Sequence, residues 1–395
     1  MTLANPNIPE EIRRVASDGT ALRYALMELG NRPEVIALGR GDPDLPTPPH
    51  ILQAAQRALH DGQTAATPVA GLPELREAIA HKLRTENQLP VGMENVLITT
   101  GGQEGLFLIM QALLDPGDTI LVPDPRYTSY DEAIASAGAQ MVMVPTDHTD
   151  AFNLNAAAIE AAITPSTKAL LIVTPSNPTG GIVTRERLEQ IADVAIRHNL
   201  IVISDEIYEK FVFDGWQHVS IGSLPGMSAR TITLNGFSKT YAMTGLRVGY
   251  IAAPTDVIAA LARVKAYTTG AAATVSQRAA LAAITGTDEA LAGFIHIYEE
   301  RRQAMKEGLA AMHLDYSDPR GAFFFWTNST PTGIHATELS YLLLKEANVL
   351  IFPGTAFGEN WGGYLRISIL QSTDKIREAL ARMRTVVDNY RVKGE

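Results

Sequence analysis

An α/β fold built on a mostly parallel, seven-stranded sheet is predicted by three observations. Seven short apolar, β-branched runs recur through the middle of this 395-residue sequence, and helix-patterned segments separate several of them. The overall balance, 46% hydrophobic and 19% charged, is that of an ordinary globular chain long enough for two unequal domains. Strands alternating with helices pair in parallel and are covered on both faces, which is why their apolar runs are continuous rather than alternating.

The runs are "NVLITT" (95–100), "TILV" (119–122), "QMVMVP" (140–145), "ALLIVT" (169–174), "LIVIS" (200–204), "TITL" (231–234) and "VGYIAA" (248–253). Helix patterns fall at "EGLFLIMQALL" (104–114) and "RERLEQIADVAIRHN" (185–199). After about residue 255 the pattern turns helical, through "TDVIAALARVKAYTT", "VSQRAALAAI" and "GFIHIYEERRQAMKEGLAAM". An α+β region follows, with strands expected at 321–328 and 363–369 and helices at 337–347 and 373–390. The first 47 residues stand outside the alternation. They are expected to join the chain's other end: 1–47 an arm and part of a small domain, 48–289 a large domain, and 290–395 the rest of the small one.

A formal charge of −10 argues against a nucleic-acid or anionic-membrane surface. The absence of cysteine excludes disulfides and thiolate metal sites, and the nine histidines show no ligand spacing, so no metal is expected. The opening "MTLANPNIPEEIRR" lacks the apolar segment of a signal peptide, and no apolar run is long enough to span a bilayer. A cytoplasmic protein is expected.

Chemistry concentrates at four strand ends, where open α/β sheets bind ligands. In "ITTGGQEGLF" a strand meets Gly101 and Gly102 and opens a helix near Gln103, so free N–H groups and close backbone approach suit an anion. An ordinary Gly-rich turn explains it equally well. In "TPSNPTGG", Asn177 precedes a proline that keeps it out of the helical region, and turn geometry alone would account for it. In "LIVISDEIYE", Asp205 ends an apolar strand and needs a cationic or donor partner if buried, with Tyr208 three residues on; a helix cap is the plainer reading. In "NGFSKTYAMTGLRVGY", Ser238, Lys239 and Arg247 gather two cations between two strands.

One ligand satisfies all four: a phosphorylated pyridine aldehyde. Gly102, Gln103, Ser238 and Arg247 suit its phosphate, Asp205 its ring nitrogen, Asn177 and Tyr208 its phenolic oxygen, and Lys239 its aldehyde. A carboxylate beside the nitrogen keeps the ring protonated and electron-withdrawing, and the lysine can form a Schiff base and then act as a base.

These stretches, together with "ALGRGDPDLPTPPHI", "GLPELREAI", "DPGDTILVPDPRY", "FPGTAFG" and "YLRISI", resemble the class I/II aminotransferases of the pyridoxal-phosphate fold type I superfamily. The resemblance covers nearly the whole chain. It implies pyridoxal 5'-phosphate as cofactor and amino acids and 2-oxo acids as substrates, exchanged in a homodimer. It further implies that Tyr127 stacks on the cofactor ring and that Gly41, Asn177 and Arg366 bind the substrate α-carboxylate. The same machinery serves β-lyases, decarboxylases and cyclases, so transamination is the leading expectation rather than the sole one.

Two positions depart from the family. Ala66 replaces a tyrosine that reaches across the dimer to the phosphate, and Gly236 stands where a serine or alanine is common. A regulator carrying this fold would need a DNA-binding extension, which the first 47 residues do not resemble. A nucleotide-dependent dehydrogenase would need a G-x-G-x-x-G turn after the first strand, which is missing. For substrate choice, Arg40, helped by Arg126, is expected to meet a second acid on the substrate side chain. The alternative pairs Arg40 with Asp42 or Asp44 and turns Arg126 to solvent.

Overall fold

The computed structural model describes residues 18–390; the stretch read for a targeting signal lies outside them. Twelve strands occur among the described residues: β1 Ile36–Ala37, β2 Val96–Thr99, β3 Thr119–Asp124, β4 Gln140–Pro145, β5 Thr167–Val173, β6 Ile201–Asp205, β7 Thr231–Gly236, β8 Gly249–Ala252, β9 Phe324–Asn328, β10 Val349–Leu350, β11 Phe352–Pro353 and β12 Tyr364–Ser368.

All seven predicted runs enter one sheet in the order β2-β8-β7-β6-β5-β3-β4. Its pairings are parallel except around β8, which runs antiparallel to both β2 and β7. In the centre, successive residues of β5 serve opposite faces, as the two-residue period requires. Leu170 and Ile172 pack with Leu188 and Ile191 of the helix Arg185–Arg197, whereas Leu171 and Val173 pack with Leu106 and Ile109 of the helix Gly101–Leu113. Each such side chain, fully removed from water, contributes about 1.5–3 kcal/mol before the cost of ordering it. Strands β2 and β4 are the two edges, and of these β4 leaves Gln140, Met143 and Pro145 exposed whereas β2 is buried throughout.

Several strands run beyond the predicted apolar runs. β3, β6 and β7 continue to Asp124, Asp205 and Gly236, because backbone pairing does not require an apolar side chain. Those extra residues stand at the carboxyl ends, where the polar chemistry lies.

The expected strands near the C-terminus appear as β9 and β12, joined by β11 in an antiparallel sheet. The expected helices appear at Ala336–Ala347 and Thr373–Tyr390. Strand β1 pairs in parallel with β10, Ile36 opposite Val349, and so ties the two ends of the chain together. Strands β1, β10 and β11 have two residues each, too few to show a period in the sequence. No helix among the described residues is long and apolar enough to cross a membrane.

Candidate active site

The carboxyl ends of β2, β3, β5, β6 and β7 all open on one cavity of about 380 Å³. Because β8 is antiparallel, its amino end lies on the same edge, which is how Arg247, two residues before β8, joins the others. Gly41, Gly102, Gln103, Tyr127, Asn177 and Asp205 line the cavity. So do Arg40, Tyr208, Ser238, Lys239, Arg247 and Arg366. Gly101 lies just behind this wall.

The helix Gly101–Leu113 starts without a side-chain capping bond from Thr100, in contrast with Arg185–Arg197, where Thr184 accepts from the Arg187 N–H. Its first turn, from which Gly102 and Gln103 line the cavity, therefore has N–H groups without a side-chain cap. Gly101 has φ +77°, and a Cβ there would fall 2.5 Å from Arg247 Nη2. The glycine thus serves both a left-handed backbone and the close approach of the guanidinium. Arg247 is itself left-handed, at φ 49°, and its Nη1 donates to the Thr244 carbonyl at 3.1 Å. Gly236 faces Gly249 across the β7–β8 ladder, where a Cβ would meet the Gly249 Cα at 3.2 Å. That tight crossing gives the Gly236 departure a structural reason.

Asp205 is the last residue of β6 and is buried. It caps no helix. Its Oδ2 accepts from the Tyr130 hydroxyl at 2.7 Å and its Oδ1 from the Ile207 N–H at 3.2 Å. Burial pushes its pKa up to about 6, against the opposing pull of those two donors. Tyr208 is buried against Phe323 and Phe324, and burial raises its phenol well above the usual range.

Arg366, on β12, is buried with its guanidinium 4.4 Å from the ring centres of both Phe324 and Phe357. Its Nη1 donates to Asn177 Oδ1 at 2.9 Å and its Nη2 to the Gly39 carbonyl at 2.5 Å. The Asn177 oxygen being engaged, its amide N–H groups are the part free to donate. Burial first, and then repulsion from Arg23, lower the Arg366 pKa to about 9, so the cation persists at neutral pH. Lys239 Nζ donates to the Gly41 carbonyl at 2.7 Å and lies 3.1 Å from Asp42 Oδ1.

The two arginines assigned to substrate choice separate. Arg126 does not join the cavity: it is buried, with Nε and Nη2 bonded to Asp131 at 2.7 and 2.6 Å and Nη1 3.4 Å from Asp124. Its role toward substrate is withdrawn, because its charge is already met. Arg40 is exposed on the cavity wall, and the aspartates considered as its partners are engaged elsewhere, Asp42 by Lys239 and Asp44 by Arg301 at 2.6 and 2.9 Å.

Sequence reasoning missed three features. Tyr130 carries no local signal beyond its spacing from Tyr127. Arg23, from the helix Gly19–Leu29, places its guanidinium 5.2 Å from the Tyr127 ring centre and 5.8 Å from that of Phe357. Behind Asp205, Glu206, Glu209 and His218 bring ligand-type atoms within 4.8 Å of one another. Their oxygens are occupied by hydrogen bonds: Lys82 and Asn87 serve Glu209, and Ser204 and Ser220 serve Glu206.

This cavity fits the phosphorylated pyridine aldehyde through its donor set: helix N–H groups, Ser238 and Arg247 at one end, the buried Asp205 carboxylate, and one primary amine. The family model for aminotransferase class I and II matches residues 33–383. The chain is 40% identical over 382 residues to an aspartate aminotransferase of Pyrococcus abyssi, covering 96% of both chains. It is also 40% identical over 356 residues to aromatic-amino-acid aminotransferase 2 of Thermococcus litoralis, covering 89% of this chain and 92% of that one. The crystal structure of the Thermus thermophilus aspartate aminotransferase with maleate superimposes with a TM-score of 0.86 at 38% identity, over 96% of this chain and 97% of that chain. With its sheet, its strand-end site and its sequence all in agreement, the chain belongs to the class I and II aminotransferases.

Proposed function

We propose that this aminotransferase works with pyridoxal 5'-phosphate held by Lys239, and that it accepts dicarboxylic amino acids. The observation that carries the reading is the convergence of one amine, Lys239, one buried carboxylate, Asp205, and one buried arginine, Arg366, on a single cavity. The cofactor, when bound, supplies an aldehyde carbon and an electron-withdrawing ring for the charge left at the substrate α-carbon.

The chain's own residues do the rest. The first turn of the helix Gly101–Leu113, Ser238 and Arg247 bind the phosphate. Tyr127 would cover the ring, and Asn177 and Tyr208 would donate to its phenolic oxygen. Asp205 holds the proton on the ring nitrogen, as a charged acceptor at neutral pH. Arg366 binds the α-carboxylate as a two-pronged cation, and its rigid seat between two phenyl rings orients the α-carbon. Lys239 Nζ, the primary amine on this cavity, would hold the cofactor's aldehyde carbon and would be the group placed to move the proton at the substrate α-carbon.

For the substrate side chain, Arg40 and Arg23 offer positive charge on the cavity wall beyond Arg366. The names of the relatives and the maleate-bound neighbour support an acidic side chain. The aromatic-amino-acid relative supports an apolar one, and Tyr24 and Met27 line the same cavity. A screen of amino acids at equal concentration, read by oxo-acid formation, decides between them. Aspartate and glutamate are expected to lead; a lead by phenylalanine or leucine overturns the acidic reading. We further infer a cytoplasmic homodimer, on family grounds, which sedimentation of the pure protein tests.

A further inference from the structure

We propose that Tyr130 is the positioning residue for the Asp205 carboxylate, fixing its plane from behind so that its remaining lone pairs face the cavity. Tyr130 lies in the helix Ser129–Ser136, is 2% exposed, and spends its hydroxyl on Asp205 Oδ2 at 2.7 Å. Its ring meets the Tyr127 ring edge-on at 5.7 Å, so the residue that covers the cofactor and the one that holds its acid are packed as a unit. With Oδ1 held by the Ile207 N–H, each carboxylate oxygen has one fixed donor and one direction left for a cationic N–H.

The groups around Asp205 are few. Glu206 and Tyr208 follow it in the chain, Lys239 approaches from beyond β7, and Tyr127 and Tyr130 come from the far side of β3. Of these, Tyr130 gives the only side-chain hydrogen bond to Asp205 among the described residues. A buried donor to a carboxylate favours the charged form. Tyr130 therefore acts through Asp205, without touching substrate.

The inference rests on the cofactor reading for its catalytic consequence, but not for its effect on Asp205 itself. In the cofactor-free protein, carbon-13 titration of Asp205 is expected to move up by about one to two pH units in Tyr130→Phe, the equivalent of one charge-assisted hydrogen bond. In the loaded enzyme the same variant should lose about tenfold to a hundredfold in kcat, with the amino-acid KM changed less than about threefold. Combined with Asp205→Asn, it should add almost nothing. Site-specific 3-fluorotyrosine at position 130, a stronger donor of nearly the same shape, should move the titration down, and it serves if the phenylalanine variant folds poorly. An unmoved Asp205 titration, or full additivity in the double variant, overturns the proposal. A normal titration shift without a catalytic loss instead faults the cofactor reading.

Discussion

Replacing Arg366 by lysine keeps the charge and removes the fork. The guanidinium now makes two hydrogen bonds, to Asn177 and Gly39, with its Cζ 4.4 Å from the ring centres of both Phe324 and Phe357. A lysine ammonium cannot share that seat and still offer two parallel donors to a carboxylate. Losing one charge-assisted hydrogen bond costs about 1.5–3 kcal/mol, or about tenfold to a hundredfold in kcat/KM. Arg366→Lys should therefore lose that much on every amino acid that is a substrate, acidic or apolar. A primary amine without an α-carboxylate provides the control, since its slow single turnover should change less than about threefold. A loss of equal size on the amine, or a kcat/KM within about threefold of the parent on amino acids, would refute the assignment.

Two further outcomes concern stability. Asp205 has a folded pKa of about 6 against an ordinary 3.8, so between those values the native state holds its proton longer than the unfolded chain does, and stability falls as pH rises across that window. The cost when complete is about 3 kcal/mol, so cofactor-free Asp205→Asn should melt higher than the parent at pH 7, and the gap should close near pH 4. In Lys82→Met the buried Glu209 loses its cation. Burial pushes that carboxyl up, but Lys82, His218 and Asn87 hold it down at about 2, so its stabilisation is present above the ordinary carboxylate range and lost as pH falls through 2. Removing Lys82 should cost about 3–5 kcal/mol at pH 7, read by denaturant unfolding.

The sheet was legible because parallel strands covered on both faces leave long apolar runs, and all seven of those runs fell in it. The same logic hid β1, β10 and β11, whose two residues each have no period to display. Among the residues that line the cavity, Lys239, Asp205 and Asn177, at or just past strand ends, stand out in local sequence, whereas Arg366, in the middle of β12, was reached through the family resemblance. Arg126 shows the limit: neither the substrate role nor the solvent-facing alternative anticipated that Asp124 and Asp131, close to it in sequence, would both pair with it. Tyr130 and Arg23 were hidden for a different reason. Each reaches the site from a helix face, and a tyrosine or arginine on a helix looks the same whether it meets solvent, core or a carboxylate.

The claim on which the rest depends is that Lys239 is the residue that carries the cofactor. Borohydride reduction of the loaded protein, followed by proteolysis and mass mapping, measures it directly. The account predicts one modified lysine, Lys239, in the peptide containing "FSKTYAM", and no stable label with Lys239→Ala. A label on Lys265, Lys82 or any other lysine, or an undiminished label in the alanine variant, would contradict it.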